Sequence, residues 1–332
     1  MRCAPWPPLA DLLQYNGTNW KYYAPPVNPN GAINGGLWVA PASINHFCLP
    51  GWYNNYYECT GLLSPNGQYF NNMRWESTNN PVPIIDDIKS CSLAQVSWVI
   101  PDGLWSDHAG ENNGAGPAYV ANIVNAIGES QYNPCGTDYW AGEPTAIFIT
   151  WDDWGGWFDH VNPSLTGGPG VWQGTAPWGN WYTYGFRVPL LVVSEHTGTD
   201  NNGTWSGYVS GACGFNTGYT CPNFAPPGNP GKYVHDFGSI LAFIEWNFLG
   251  GTGAIGTIGQ NGYPFADNYA PEWRYSNQKN VPLMDFFVPQ TRGFTQISIP
   301  SGYGVSYFQN YFSQNGGSPS GPDAGEGDGA QD

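Results

Sequence analysis

Residues 145–161 read TAIFITWDDWGGWFDHV. The run from Ala146 to Trp151 (AIFITW) is β-branched and aromatic with no polar face, the pattern of a strand buried on both sides. Two carboxylates, Asp152 and Asp153, follow at once, then Gly155-Gly156 and Asp159-His160. In open α/β sheets ligands bind beyond the carboxyl ends of strands. Adjacent carboxylates repel one another, and a hard divalent cation is the partner that suits their oxygens. An Asp-Asp pair after a strand can equally cap the next turn. The glycine pair lets the backbone turn sharply or approach a ligand, and Asp159-His160 offers a further ligand or a supporting pair.

Working outward, Leu93–Ile100 (LAQVSWVI) is a second buried strand, stopped by Pro101, and Val188–Ser194 (VPLLVVS) a third. Residues 116–127 place Tyr119, Ile123 and Ala126 near one helical face, with Val120, Val124 and Ile127 beside them. Phe237–Leu249 is a second long helix, broken by Gly250-Gly251. Leu9–Gln14 is a short helix stopped by Asn16-Gly17, Asn19–Ala24 an extended run, and Ile84–Ile88 a helical turn. Apolar strands interleaved with helices predict an α/β fold with a parallel or mixed sheet covered on both faces. Residues 27–80, rich in Asn, Gly, Pro and Tyr, are expected to be long surface loops with short helical turns. The Gly/Ser/Pro-rich, acidic end suggests one domain over 1–312 and a disordered tail over 313–332.

The chain has 332 residues, 9 Lys+Arg and 25 Asp+Glu, a net charge of −16. That balance argues against a nucleic-acid partner, whose backbone demands cations, and against a polybasic membrane anchor. No apolar run is long enough for a transmembrane segment, and Met1–Pro8 has no apolar core of a signal peptide. Few Lys, many Trp, Tyr, Asn and Gly, and 7 Cys nevertheless suggest a secreted or periplasmic protein. Cys213 with Cys221, and Cys48 with Cys59, are spaced to close small rings, and the odd count leaves one Cys over.

Four further histidines carry candidate chemistry. His108, in Trp105-Ser106-Asp107-His108, follows the strand that ends at Ile100 and can contact a phosphoryl oxygen, bind metal or sit in an ordinary surface loop. His46 lies in the loop-rich region. His235 stands at the entry of the long helix, where Asp236 also suits a capping role. His196 follows the third strand and fits a structural position better. There is no GxSxG elbow, no GxxxxGK[ST] phosphate loop and no HExxH. The scattered Trp and Tyr are explained mostly by packing.

The ordered set of motifs resembles the phosphoesterase family, which includes bacterial phospholipases C and a group of acid phosphatases in the alkaline-phosphatase superfamily. TAIFITWDDWGGWFDHV carries the resemblance first. It is joined by LAQVSWVIPDGLWSDH (93–108), YVANIVNAIGES (119–130), GFRVPLLVVSEH (185–196), YVHDFGSILAFIEWNF (233–248) and PLMDFF (282–287). LADLLQYNGTNWKYYAP (9–25) and SINHFCLPGW (43–52) resemble it too. The resemblance implies an alkaline-phosphatase-like α/β/α sandwich with a mostly parallel central sheet, and hydrolysis of phosphoric esters. It implies that Asp152 and Asp153 bind a divalent metal ion and that His108 contacts the phosphoryl group. His46 matches a second such histidine, and Asp159, His160 and His235 lie within family motifs. The substrate would be a small phosphoester or a phospholipid head group.

Family members carry a first strand with a Glu-Asn metal motif and a Ser or Thr nucleophile ahead of the region matched here. Neither can be placed in this sequence, so the expectation is an N-terminally truncated phosphoesterase with little or no turnover of its own. The alternative is a non-catalytic secreted protein that binds a glycan or another surface on the same scaffold. A third reading is a gene fragment left with an unpaired sheet edge.

Overall fold

The computed structural model describes residues 8–25, 40, 50–53, 56–59, 71–76, 80–108, 114–159, 186–197, 237–249, 283 and 286–314. The chain divides into two compact units, Met1–Glu143 with Phe294–Asp332, and Pro144–Gly293.

In the first unit, strand β1 (Trp20–Ala24, WKYYA) lies between β4 (Met73–Trp75) and β5 (Val96–Val99), and both pairings are parallel. Trp20, Tyr22, Tyr23 and Ala24 are all buried, as expected of a central strand covered on both faces. Tyr22 is in register with both Met73 and Trp98. Where β1 and β5 begin, a reciprocal clamp fixes that register. Asn19 N–H donates to Gln95 Oε1 at 3.1 Å, and Gln95 N–H donates to Asn19 Oδ1 at 2.6 Å.

Helix α1 (Leu9–Tyr15) precedes β1 and buries Ala10, Leu12 and Leu13. Helix α2 (Pro83–Lys89) connects β4 to β5; Pro83 stands in its first turn, where a missing N–H costs nothing, and Lys89 in its last turn suits the carbonyl end of the helix dipole. Helix α3 (Ala115–Gly128) buries Tyr119, Ile123, Val124 and Ile127. On it Trp105, Tyr119 and Phe308 form an aromatic cluster, with centroids 6.2 Å apart for Trp105–Tyr119, 5.1 Å for Trp105–Phe308 and 5.6 Å for Tyr119–Phe308.

Asp87 of α2 ties the sheet to its covering helix. It accepts from Lys21 Nζ at 2.8 Å, Tyr23 OH at 2.8 Å, Arg74 Nη2 at 2.7 Å and Ser92 Oγ at 3.2 Å. Burial by itself would raise this carboxyl. The hydrogen bonds from Lys21 and Tyr23 and the charges of Lys21 and Arg74 hold it below its ordinary value. Cys91 and Cys135 form a disulfide between the end of α2 and the turns that follow α3.

In the second unit, β6 (Ile147–Thr150) pairs antiparallel with β7 (Leu190–Val193), from Ile147 opposite Val193 to Thr150 opposite Leu190. Helix α4 (Phe237–Phe248) packs Phe243 against Phe148 of β6 at 5.0 Å and against Phe287 at 5.5 Å between ring centroids. Val288 N–H donates to the His196 carbonyl at 2.7 Å and holds the segment after Phe287 beside the end of β7.

Parallel strands with helices between them agree with the expected α/β phosphoesterase fold. Three departures from the sequence expectations stand out. Residues 27–80 are not loops alone, because they contain the antiparallel hairpin of β2 (Pro50–Tyr53) and β3 (Tyr56–Cys59) as well as β4. These strands are of 3 or 4 residues, too short to display an alternating pattern. Helix α5 (Val305–Gln314) runs past residue 312, and residues 315–332 lie outside the described residues. The disulfide joins Cys91 to Cys135, a pair that spacing did not select; Cys48, Cys213 and Cys221 lie outside the described residues. No helix among the described residues is long and apolar enough to cross a membrane.

Candidate functional site

Strand β6 ends at Thr150, whose hydroxyl donates to the Pro189 carbonyl at 2.8 Å, just ahead of β7. Asp152 and Asp153 follow side by side, both exposed. Asp153 Oδ1 accepts the Gly155 N–H at 2.6 Å, which closes a tight turn. Gly155 and Gly156 have φ of +65° and +74°, left-handed values that only glycine adopts without strain. The sequence left cation binding and turn capping open for this pair, and Asp153 uses one oxygen for capping.

The far end of the turn is braced. Asp159 receives Arg187 in a bidentate fork, Nη2 to Oδ1 at 2.8 Å and Nε to Oδ2 at 2.9 Å, and the Arg187 N–H also donates to Oδ2 at 2.9 Å. The hydrogen bond to Asp159 raises the Arg187 guanidinium above its ordinary value, so its charge is fixed. Asp159 therefore acts as the brace of the turn.

Two carboxylates of adjacent residues supply the hard oxygen donors that a divalent cation takes, and they fit such an ion as part of a larger ligand set. Among the described residues no group of three or more His, Cys, Asp or Glu side chains is placed to hold a metal ion. His46, His160 and His235 lie outside the described residues. His108 belongs to the first unit, and Asp152 and Asp153 to the second.

His108 follows a short turn after β5. Its N–H donates to Ser106 Oγ at 3.1 Å, and Ser106 Oγ donates to the Gly103 carbonyl at 2.7 Å. Asp107 before it has φ of +62°, a costly conformation for an aspartate. The Asp107 carboxylate lies close against Gly116 in the first turn of α3; a Cβ at Gly116 would fall 2.3 Å from Asp107 Oδ1. Backbone strain and a missing side chain together set the direction in which the chain enters His108. His196 Nε2 lies 3.2 Å from the Glu195 carboxylate.

Sequence reasoning missed a pair of buried acids at the carboxyl ends of β4 and β5. Glu76, which follows β4, is 2% exposed, and Asp102, beyond β5, is 1% exposed. Tyr119 OH donates to Glu76 Oε1 at 3.2 Å, while Oε2 has no hydrogen-bond partner among the described residues. Burial, and then the Asp102 charge, push the Glu76 carboxyl well above its ordinary value. Burial, with Glu76 beside it, likewise raises Tyr119.

The phosphoesterase family model matches residues 1–249, well over half of the chain. The chain is similar to a non-hemolytic phospholipase C of Burkholderia pseudomallei, 28% identical over 225 residues that cover 58% of this chain and 29% of that protein. It is similar to phospholipase C B of Mycobacterium tuberculosis, 32% identical over 137 residues, 36% of this chain and 24% of that protein. Phospholipase C A of the same organism is 30% identical over 122 residues, 33% of this chain and 22% of that protein. The chain thus spans less than a third of the length of these relatives.

Proposed function

The chain belongs to the phosphoesterase family, and from that premise we propose that it carries part of a metal-dependent phosphoric ester hydrolase site. In this reading Asp152 and Asp153 hold a divalent cation and His108 contacts the phosphoryl group. His46, His160 and His235 serve the same site. The carrying observation is the position of the two aspartates. They stand exposed on a glycine turn at the carboxyl end of β6, within the residues the family model matches.

A cation held there supplies positive charge to offset the phosphoryl oxygens and the leaving group. The chain's own residues do the rest. Asp153 uses Oδ1 to fix the turn through the Gly155 amide, and the Asp159–Arg187 fork fixes its far end, so the carboxylates stay side by side. His108 donates a ring N–H to a phosphoryl oxygen. Hydrolysis breaks the ester P–O bond, and the elements of water divide between the phosphate and alcohol products. The names of the relatives favour a phospholipid head group as substrate over a small phosphoester. The Cys91–Cys135 disulfide supports an oxidising compartment, so the protein is secreted or periplasmic.

The test is calorimetric titration of the purified chain with Mg²⁺, Ca²⁺, Mn²⁺ and Zn²⁺, beside Asp153→Asn. Asparagine keeps an oxygen for the Gly155 amide and removes the charge. Binding of one cation, weakened at least about tenfold in the variant, is expected. Equal affinity in the two proteins would overturn the metal assignment. Hydrolysis of p-nitrophenyl phosphate and p-nitrophenylphosphorylcholine with that cation tests the activity itself.

A further inference from the structure

Large aromatic rings stand in the open beside the two aspartates. Trp157 is 70% exposed, Phe158 76% and Trp154 42%. Rings of this size carry a large apolar area that folding ordinarily covers, and an exposed group of them marks an interaction surface. Their exposure does not come from a slack loop. Trp154 and Phe158 meet Phe186 edge-on, with centroids at 5.7 Å and 6.1 Å. The Asp159–Arg187 fork closes the base of the turn. Trp157 N–H reaches the Trp154 carbonyl at 3.2 Å, and its ring edge lies over Gly155, where a Cβ would come 3.2 Å from Trp157 Cδ1. A braced turn therefore holds an apolar tip outward.

Charge narrows what the tip can meet. Residues 151–159 contain three Asp and no Lys or Arg, and the whole chain carries −16. An anionic lipid surface is repelled by such a protein. A zwitterionic surface with choline head groups is not, since its outermost charge is a quaternary ammonium, which aromatic faces and carboxylates both attract. Trp rings also favour the head-group level of a bilayer, where one edge is dry and the other wet.

We infer that Trp154, Trp157 and Phe158 form a docking tip for a choline-bearing, zwitterionic lipid surface. The inference rests on the phosphoester reading of Asp152 and Asp153, because docking at this turn brings lipid phosphoesters alongside those carboxylates. Trp157 is the main contact, and Phe158 and Trp154, held by Phe186, form its base.

Binding is read by co-sedimentation of the full chain with phosphatidylcholine vesicles and with phosphatidylglycerol vesicles, without added metal. The expected result is partition onto phosphatidylcholine, weaker partition onto phosphatidylglycerol, and a loss of about tenfold in Trp157→Ala. Trp157→Phe, which keeps a ring, should recover most of that loss; this separates a docking contact from a disturbed fold. Failure to bind phosphatidylcholine, equal binding by Trp157→Ala, or a preference for phosphatidylglycerol would each overturn the proposal. So would a vesicle-free dimer that dissociates in Trp157→Ala, since the tip would then be covered by a second copy. Failure of the phosphoester reading looks different, as intact vesicle binding together with equal cation affinity in the parent and Asp153→Asn.

Discussion

Glu76 and Asp87 are two buried carboxyls displaced in opposite directions, and each leaves its mark on stability. Glu76, at 2% exposure, has its pKa raised by burial and by Asp102 above its ordinary 4.5. The folded state thus holds its proton where the unfolded chain has released it. This contribution is fully present below about pH 4.5 and is lost as pH rises through the folded pKa. Asp87, lowered net by Lys21, Tyr23 and Arg74 against its own burial, works the other way. Its contribution is present above the ordinary aspartate range and is lost as pH falls through the folded pKa. Glu76→Gln should therefore flatten the fall in urea midpoint between pH 5 and pH 8 and leave the acid limb alone. An unchanged slope would show that Glu76 ionises freely in the folded protein. Neither acid could be singled out in the sequence, because both owe their character to partners brought from elsewhere in the chain: Tyr119 for Glu76, and Lys21 and Arg74 for Asp87.

At the scale of elements, helix α3 comes close to the segment after residue 293. A Cβ added at Gly128 would meet the Phe294 ring at 2.2 Å, and Asn125 exchanges hydrogen bonds with the Ile297 backbone at 2.8 Å and 3.0 Å. Gly128→Ala should then destabilise by about 2 kcal/mol through overpacking, measured by urea unfolding, with Phe294→Leu in the same chain restoring part of it. A Gly128→Ala protein as stable as the parent would mean that Phe294 moves aside at no cost. The elements legible in the sequence were those with enough residues to show a period or an apolar run. The stretch LAQVSWVI became β5, AIFITW became β6, and 116–127 became the heart of α3. Strand β4 was illegible because Met73-Arg74-Trp75 is a strand only by pairing beside Tyr22–Ala24. The turn of Asp153, Gly155 and Gly156 was readable as a turn, whereas its bracing by Arg187 was not, because the two partners are 28 residues apart.

Over the whole molecule, composition argued against a nucleic-acid partner, and the rings that spacing offered, Cys48 with Cys59 and Cys213 with Cys221, reach outside the described residues. Seven cysteines allow many connectivities, and only the approach of α2 to the turns after α3 puts Cys91 beside Cys135 across 44 residues. Removing a crosslink over that span releases about 4 kcal/mol of chain entropy in the unfolded state. Cys91→Ser with Cys135→Ser should accordingly lower the thermal midpoint under oxidising conditions, while dithiothreitol moves the parent protein to the same value. A reductant that leaves the parent unmoved would argue that the thiols are not joined in solution.

The clamp between Asn19 and Gln95 spans 76 positions of sequence. Strand β1, the middle of its sheet, is made before either of its neighbours, and β5 follows it only roughly 4–15 s later at ordinary elongation rates. Trp20, Tyr22 and Tyr23 must wait through that interval without the neighbours that will cover them. Residues deeply enclosed in the finished protein thus stay exposed on the nascent chain until β5 is made, and that interval is the window in which a chaperone is useful to this sheet.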